Sequence, residues 1–330
     1  MRNATRVADV PISFRVRNVN RSKVSCPSDG KTYTVRGHLV GPAAKVHSDR
    51  IDATTLYLHG LGFGEFFWHF QQAHGYDYAA KQARHGQVSV VIDRLGYMSS
   101  DKPNGNRICV GARADIAHQM VMDLRSGHYR VNPSGNSPRF SKVVLAGHSY
   151  GAQIAQVEAY SFGDIDGLVV IGYSDRVQSA LTKKNAAYAA EICAKGGLRV
   201  NAVGPAGYAP FGPPSGAPAA LFHSAVPQVE KAALQLLTID PCGDTASFAK
   251  AVTVDLANVR RVKVPVLVVA GTDDALFPPP AGPNQAKLFS GSRSVAQITL
   301  PDTAHAFTFE RTRNRFVKLI SRWLQRHITT

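Results

Sequence analysis

Val143-Val144-Leu145-Ala146-Gly147-His148-Ser149-Tyr150-Gly151 decides the fold of this 330-residue chain. Four apolar residues suited to a buried strand lead into a serine set between two glycines, and Ala152 to Ala159 then reads as a helix. The glycines let strand and helix approach closely enough for a sharp turn that exposes the Ser149 hydroxyl. A serine so placed is a candidate nucleophile. Alone, Gly-x-Ser-x-Gly arises by chance in about one chain of this length in six, so its partners decide the reading.

Outward from this stretch, short β-branched runs alternate with helix-like segments, as in a parallel sheet covered by helices. Residues 12–16 and 33–40 alternate apolar and polar side chains and read as an antiparallel pair. Residues 55–58, 88–92, 143–145, 168–171 and 264–269 read as buried parallel strands, with a last strand at 296–300. Ile116, Met120, Val121 and Leu124 give residues 112–124 the stripe of a crossover helix. From Arg176 to Val262 the pattern changes. Helical stretches at 178–194, 228–237 and 245–252 surround a Gly/Pro-rich passage at 204–218, with no strand pair evident. We read a mostly helical insertion between two strands: a core of residues 1–175 and 263–330, and a cap of residues 176–262.

An acid and a histidine follow in order. Asp273 and Asp274 come after the next-to-last strand, and His305 comes after the last. Open parallel sheets place sites at that strand edge. His305 is positioned to take a proton from Ser149, and a carboxylate to fix the imidazole tautomer. Upstream, His59-Gly60-Leu61-Gly62-Phe63-Gly64 closes an earlier strand with a turn that can aim backbone N–H groups at a developing oxyanion. The Tyr150 N–H would be the second donor.

In these motifs the chain resembles the α/β-hydrolase superfamily, in the serine esterase and lipase-like branch with a His-Gly oxyanion loop and a helical cap. The resemblance rests on the His59-Gly60 turn, the Asp93-to-Pro103 loop, the Ser149 elbow, the Gly271-x-x-Asp274-x-x-x-Pro278 loop and the terminal His305. It implies an α/β-hydrolase fold: a mostly parallel eight-stranded sheet flanked by helices, with the insertion as cap. It implies Ser149, Asp274 and His305 as catalytic residues, with Leu61 and Tyr150 supplying the oxyanion N–H groups. Asp274 fits the family spacing best. Asp273 beside it, and Asp175 after the sixth strand, where some members carry the acid, stay open as alternatives. The implied activity is carboxylic ester hydrolysis through an acyl-enzyme, without a cofactor. Lactonase, thioesterase, amidase, carbon–carbon hydrolase and perhydrolase chemistry use the same machinery. A non-catalytic ligand-binding protein on this fold is the alternative from another class. Haloalkane dehalogenases and epoxide hydrolases need an aspartate where Ser149 stands.

Phe63 and Phe66 near the glycine turn, with Tyr208, Phe211 and Phe222 in the insertion, are candidates to line an apolar pocket for a hydrophobic ester. His59 and His148 read as structural members of their loops. No His-x-x-x-His or His-Glu-x-x-His spacing occurs, so no metal site is expected. The formal net charge is +15. Part of it lies on the last helix, where Lys318, Arg322 and Arg326 oppose Phe316, Leu319, Ile320, Trp323 and Leu324. That is a solvated basic face, and no nucleic-acid motif accompanies it, so no nucleic-acid partner is expected. No apolar run approaches the roughly 18 residues of a membrane helix. The four cysteines are too dispersed for a zinc cluster. Cys193 with Cys242, both in the insertion, is the favoured disulfide, leaving Cys26 with Cys109; four buried free thiols is the alternative. The N-terminus Met1–Arg6 has no apolar signal stretch, which favours the cytoplasm, while the even cysteine number favours export. The expectation leans to an extracytoplasmic protein whose signal lies outside this sequence.

Overall fold

A computed structural model describes residues 6–133 and 135–329. Its strands are β1 (Val7–Arg17), β2 (Thr32–Pro42), β3 (Arg50–Leu58), β4 (Ser89–Asp93), β5 (Arg130–Val131), β6 (Arg139–His148), β7 (Gly167–Ile171), β8 (Tyr208–Ala209), β9 (Asp240–Pro241), β10 (Val266–Gly271) and β11 (Val295–Leu300). Nine of them form one sheet in the order β11-β10-β7-β6-β3-β4-β2-β1-β5. The run from β11 to β4 is parallel, and β2, β1 and β5 continue it antiparallel at one edge. All eight expected strands are present. The ninth, β5, has two residues, too few to show an alternation in sequence.

β4, β7 and β10 are buried along their whole lengths. They read as continuous apolar runs because helices cover both faces of the sheet. Alternation then sorts their side chains between two cores. Leu56, Leu58, Leu145, Val170 and Val268 pack toward the helices Val110–Ser126 and Tyr150–Ser161. Tyr57, Val144, Ile171 and Val269 pack on the other side with Phe67, Trp68 and the helix Arg313–His327. That last helix buries Phe316, Ile320, Trp323 and Leu324 and leaves Lys318, Arg322 and Arg326 exposed, as its sequence stripe requires. Among the described residues no helix is long and apolar enough to cross a membrane.

Between β7 and β10 the chain forms the helices Ala180–Ala194, Ala217–Leu221, Pro227–Leu236 and Cys242–Asn258. The sequence showed no strand pair here, and the structure corrects that. β8 and β9 pair antiparallel, Tyr208 opposite Pro241 and Ala209 opposite Asp240. Two residues per strand, some thirty positions apart, leave no periodicity to read. Ala220, Ala251, Val259 and Val262 join the first core cluster, while Ala189, Ala209 and Cys242 form a small cluster of their own around the Cys193–Cys242 disulfide. Both favoured disulfides are present: Cys193–Cys242 within the insertion, and Cys26–Cys109 from the loop after β1 to the start of the helix Val110–Ser126. Two disulfides are consistent with an extracytoplasmic location.

Candidate active site

The serine, the candidate acids, the histidine and the glycine turn singled out from sequence lie at the C-terminal ends of β3, β6, β7, β10 and β11. Ser149 follows β6 with φ 54° and ψ −125°, a left-handed backbone that a serine adopts only when its surroundings impose it. Its N–H donates to the Ile171 carbonyl of β7 at 2.8 Å. The glycines make the turn possible: a Cβ on Gly147 would lie 2.2 Å from the Gly151 carbonyl oxygen, and one on Gly151 would lie 2.2 Å from that of Leu58.

Asp274 and His305 are brought together. Asp274 Oδ1 accepts the Leu276 and Phe277 N–H groups, each at 2.9 Å, and Oδ2 accepts His305 Nδ1–H at 2.9 Å. Both side chains are buried. With Nδ1 donating, the neutral ring presents Nε2 as an acceptor. Ser149 and His305 line the same cavity. They form no direct hydrogen bond among the described residues, and such contacts commonly tighten only with substrate bound. The other two acids stand apart. Asp273 is exposed and accepts from the Thr272 hydroxyl. Asp175 is buried and accepts from Gln156, Gln285 and Tyr173, with no hydrogen bond to His305.

The Leu61 and Tyr150 N–H groups take no acceptor among the described residues. Tyr150 opens a helix, where an N–H has no intrahelical partner. The glycine turn is fixed by its neighbours. His59 Nδ1–H donates to the Gly60 carbonyl at 2.9 Å, and its Nε2 accepts Arg94 N–H at 3.1 Å. Burial, with Arg94 close by, holds the His59 pKa well below its ordinary value. His148 Nε2–H donates to the His305 carbonyl at 2.9 Å. Burial, then the neighbouring His305, likewise lowers its pKa well below the ordinary value. Both rings are neutral hydrogen-bonding parts of their loops.

The cavity beside Ser149 has a volume of about 450 Å³. Phe63 and Phe211 line it together with Leu61, Leu221, Leu237 and Leu276. Phe66, Tyr208 and Phe222, also expected there, are not among its lining residues. Phe66 is buried against Phe63 and Phe309, the Tyr208 hydroxyl donates to the Pro103 carbonyl, and Phe222 packs near Phe309. Sequence adjacency to a loop does not say which side of it a ring takes.

Sequence reasoning missed a buried ionic cluster that joins the insertion to the site. Asp240 Oδ1 accepts Gly62 N–H at 2.6 Å and Tyr97 O–H at 2.8 Å, while Thr238 N–H donates to the Gly62 carbonyl at 2.9 Å. Arg113 donates twice to Asp244, at 2.6 Å each, and the Tyr150 hydroxyl donates to the same carboxylate. Burial raises Asp240 to about 7 even though Gly62, Tyr97 and Arg94 oppose the shift. One signal was available: Arg113 sits in the apolar stripe of its own helix, three residues before Ile116 and seven before Met120.

Among the described residues, potential metal-binding atoms gather in three places: Asp9, His38 and His69; His118, Glu158 and Asp164; His223, Asp273 and Asp302. These residues are distant in sequence, so spacing could not announce them, and none lines the cavity. In the first group His69 faces Asp9 and Asp77, each at 3.1 Å. Burial lowers its pKa, but the two carboxylates outweigh that and raise it to about 10, which makes the group a protonated ion-pair network.

Several solved structures share this architecture. A thermophilic esterase from Thermogutta terrifontis is 18% identical with TM-score 0.64, over 96% of this chain and 99% of that one. A monoacylglycerol lipase from Paleococcus ferrophilus is 18% identical with TM-score 0.59, over 84% and 97%. Est1E from Butyrivibrio proteoclasticus, with ferulic acid bound, is 15% identical with TM-score 0.54, over 93% and 99%. At such identities the likeness is one of fold. No curated protein matches the sequence. The family model described as "Alpha/beta hydrolase family" matches residues 56–319, most of the chain, and the chain belongs to that family.

Proposed function

We propose that this protein is a serine hydrolase that cleaves carboxylic esters with a hydrophobic, uncharged body. The observation that carries the reading is the 2.9 Å hydrogen bond from His305 Nδ1 to Asp274, in the wall of the cavity onto which Ser149 also opens. His305 Nε2 takes the Ser149 proton as Oγ attacks the ester carbonyl. The Leu61 and Tyr150 N–H groups receive the oxyanion. Each such donor is worth about 100- to 1,000-fold in rate. The tetrahedral intermediate collapses to an acyl-enzyme, and His305 returns the proton to the departing alcohol. Water, deprotonated by His305, then attacks the acyl carbonyl, and the acid leaves as Ser149 regains its proton.

Among the described residues no Asp, Glu, Lys or Arg lines the cavity, so a charged substrate body would be buried there without a partner. The insertion 176–262 acts as a cap on the core of residues 1–175 and 263–330, and the disulfides fit an exported protein. Fluorophosphonate labelling tests the chemistry. The wild type should be labelled and Ser149→Ala should not, and a p-nitrophenyl ester panel should show turnover lost in the same variant. Absence of labelling in both proteins would sink the proposal.

A further inference from the structure

The cavity is apolar except at a few points. Besides Ser149 and His305, its polar side chains are Asn185 and Thr238. Asn185 lies on the helix Ala180–Ala194 and is 6% exposed. Its carboxamide, with two donor hydrogens and an acceptor oxygen, makes no hydrogen bond among the described residues, and its polar atoms are open to the cavity rather than sealed in the core. A buried amide in a packed core is nearly always partnered. This one faces the space where a substrate would sit.

Its position is fixed from two sides. Thr182, one turn earlier, donates its hydroxyl to the Leu276 carbonyl at 2.6 Å, and Ser179 N–H donates to the same oxygen at 3.0 Å. Leu276 in turn donates its N–H to Asp274, so the helix bearing Asn185 is referenced to the loop that carries the acid. On the other side stands Gly212, with φ +91°; a Cβ there would fall 2.5 Å from the Asn185 carboxamide. A group held this firmly loses little freedom on making a contact, which is the condition for selectivity.

We propose that Asn185 is a specificity-determining residue that hydrogen-bonds an uncharged polar group, such as a hydroxyl, ketone or amide, on the otherwise apolar body of the ester. This deepens the hydrolase reading and rests on it. A plain alkyl chain would strip water from the carboxamide and leave it unpaired. A substituted chain of the same shape would satisfy it. A site with a buried unpaired group discriminates against the analogue that lacks the matching partner. We expect a preference of about 10- to 100-fold in kcat/KM.

The test uses the full-length, disulfide-bonded enzyme and matched pairs of p-nitrophenyl esters. Each pair sets a hydroxy-, oxo- or amido-substituted acyl chain against its alkyl isostere, with the substituent moved stepwise from the carbonyl. The readout is the ratio of kcat/KM within each pair. In the wild type at least one pair should favour the polar member by tenfold or more, and Asn185→Leu should bring that ratio close to one. Asn185→Asp keeps the shape and serves if the leucine variant does not fold. It should retain preference for a hydroxyl donor and lose it for a ketone acceptor. Wild-type ratios near one throughout, or variants that lower both members equally, overturn the proposal. Fluorophosphonate labelling of Ser149, run alongside, separates the two failures: labelling with flat ratios sinks the subsite alone, and no labelling sinks the hydrolase reading and the subsite with it.

Discussion

Asp274→Asn is the substitution whose outcome the structure determines most closely. Oδ1 of the native carboxylate accepts two backbone N–H groups at 2.9 Å, from Leu276 and Phe277. An asparagine must keep its oxygen there, because turning the amide over would set an NH2 against two N–H donors. Two lost hydrogen bonds make that turn cost about 2–3 kcal/mol. The amide NH2 therefore faces His305 Nδ1, which must accept, and the ring proton moves to Nε2, the nitrogen that takes the Ser149 proton in the proposed mechanism. Restoring the working tautomer requires the unfavourable turn, a loss of roughly 30- to 150-fold. The neutral amide also withdraws the charged hydrogen bond that stabilises the imidazolium, about 1.5–3 kcal/mol more. Together these give a fall in kcat of about 10³- to 10⁴-fold, the scale seen when a catalytic triad suffers this change. The assay is kcat on a p-nitrophenyl ester, with thermal unfolding showing that the fold is intact. Asp175→Asn is the control. Its partners are Gln156, Gln285 and Tyr173 rather than His305, so kcat should stay within about threefold. If Asp274→Asn stayed within tenfold of wild type, or Asp175→Asn fell as far in a folded protein, the assignment of Asp274 would be refuted.

Asp240 gives a pH prediction. Burial raises its folded pKa to about 7 from 3.8. The native state thus holds a proton that the unfolded chain has released, and this group's contribution to stability declines as pH rises from about 4 through 7. Asp240→Asn can still accept from Gly62 and Tyr97 but no longer titrates, so its stability relative to wild type should increase from pH 5 to pH 8; parallel urea-unfolding midpoints at the two pH values would contradict this. Arg113→Met removes the doubly bonded partner of the buried Asp244 carboxylate, leaving Arg94 at 3.9 Å as a weaker one, and should cost about 3 kcal/mol; adding Asp244→Leu should recover part of the loss, measured by chemical denaturation, and no recovery would count against the pairing. Reducing Cys193–Cys242, which closes a loop of 49 residues, should destabilise the protein by about 4 kcal/mol. Serine replacement of both residues measures that by thermal unfolding, and an unchanged midpoint would argue against a constraint on the unfolded chain.

The parts of the candidate site legible in sequence were those whose chemistry is local. Gly147, Ser149 and Gly151 lie within five residues because one turn requires all three. Asp274 and His305 could be found because each closes a strand and strand order is read along the chain. The insertion was legible as a break in the strand and helix alternation, but its interior was not. β8 and β9 are too short to carry a period. Phe66 and Phe222 are the same residue type as Phe63 and Phe211, and only packing separates those that line the cavity from those that do not.

By itself the sequence determined the sheet, the insertion between β7 and β10, and the three loops that bring serine, acid and histidine to one edge. Apolar period and turn residues are local quantities, and they suffice for that. Only the tertiary structure decided which of three aspartates faces His305, and that Asp240 and Thr238 grip the glycine turn at Gly62 from the insertion. It alone left the Asn185 carboxamide unpartnered in an apolar cavity. Those outcomes depend on contacts between residues far apart in the chain, where direction and distance are set by how the layers pack.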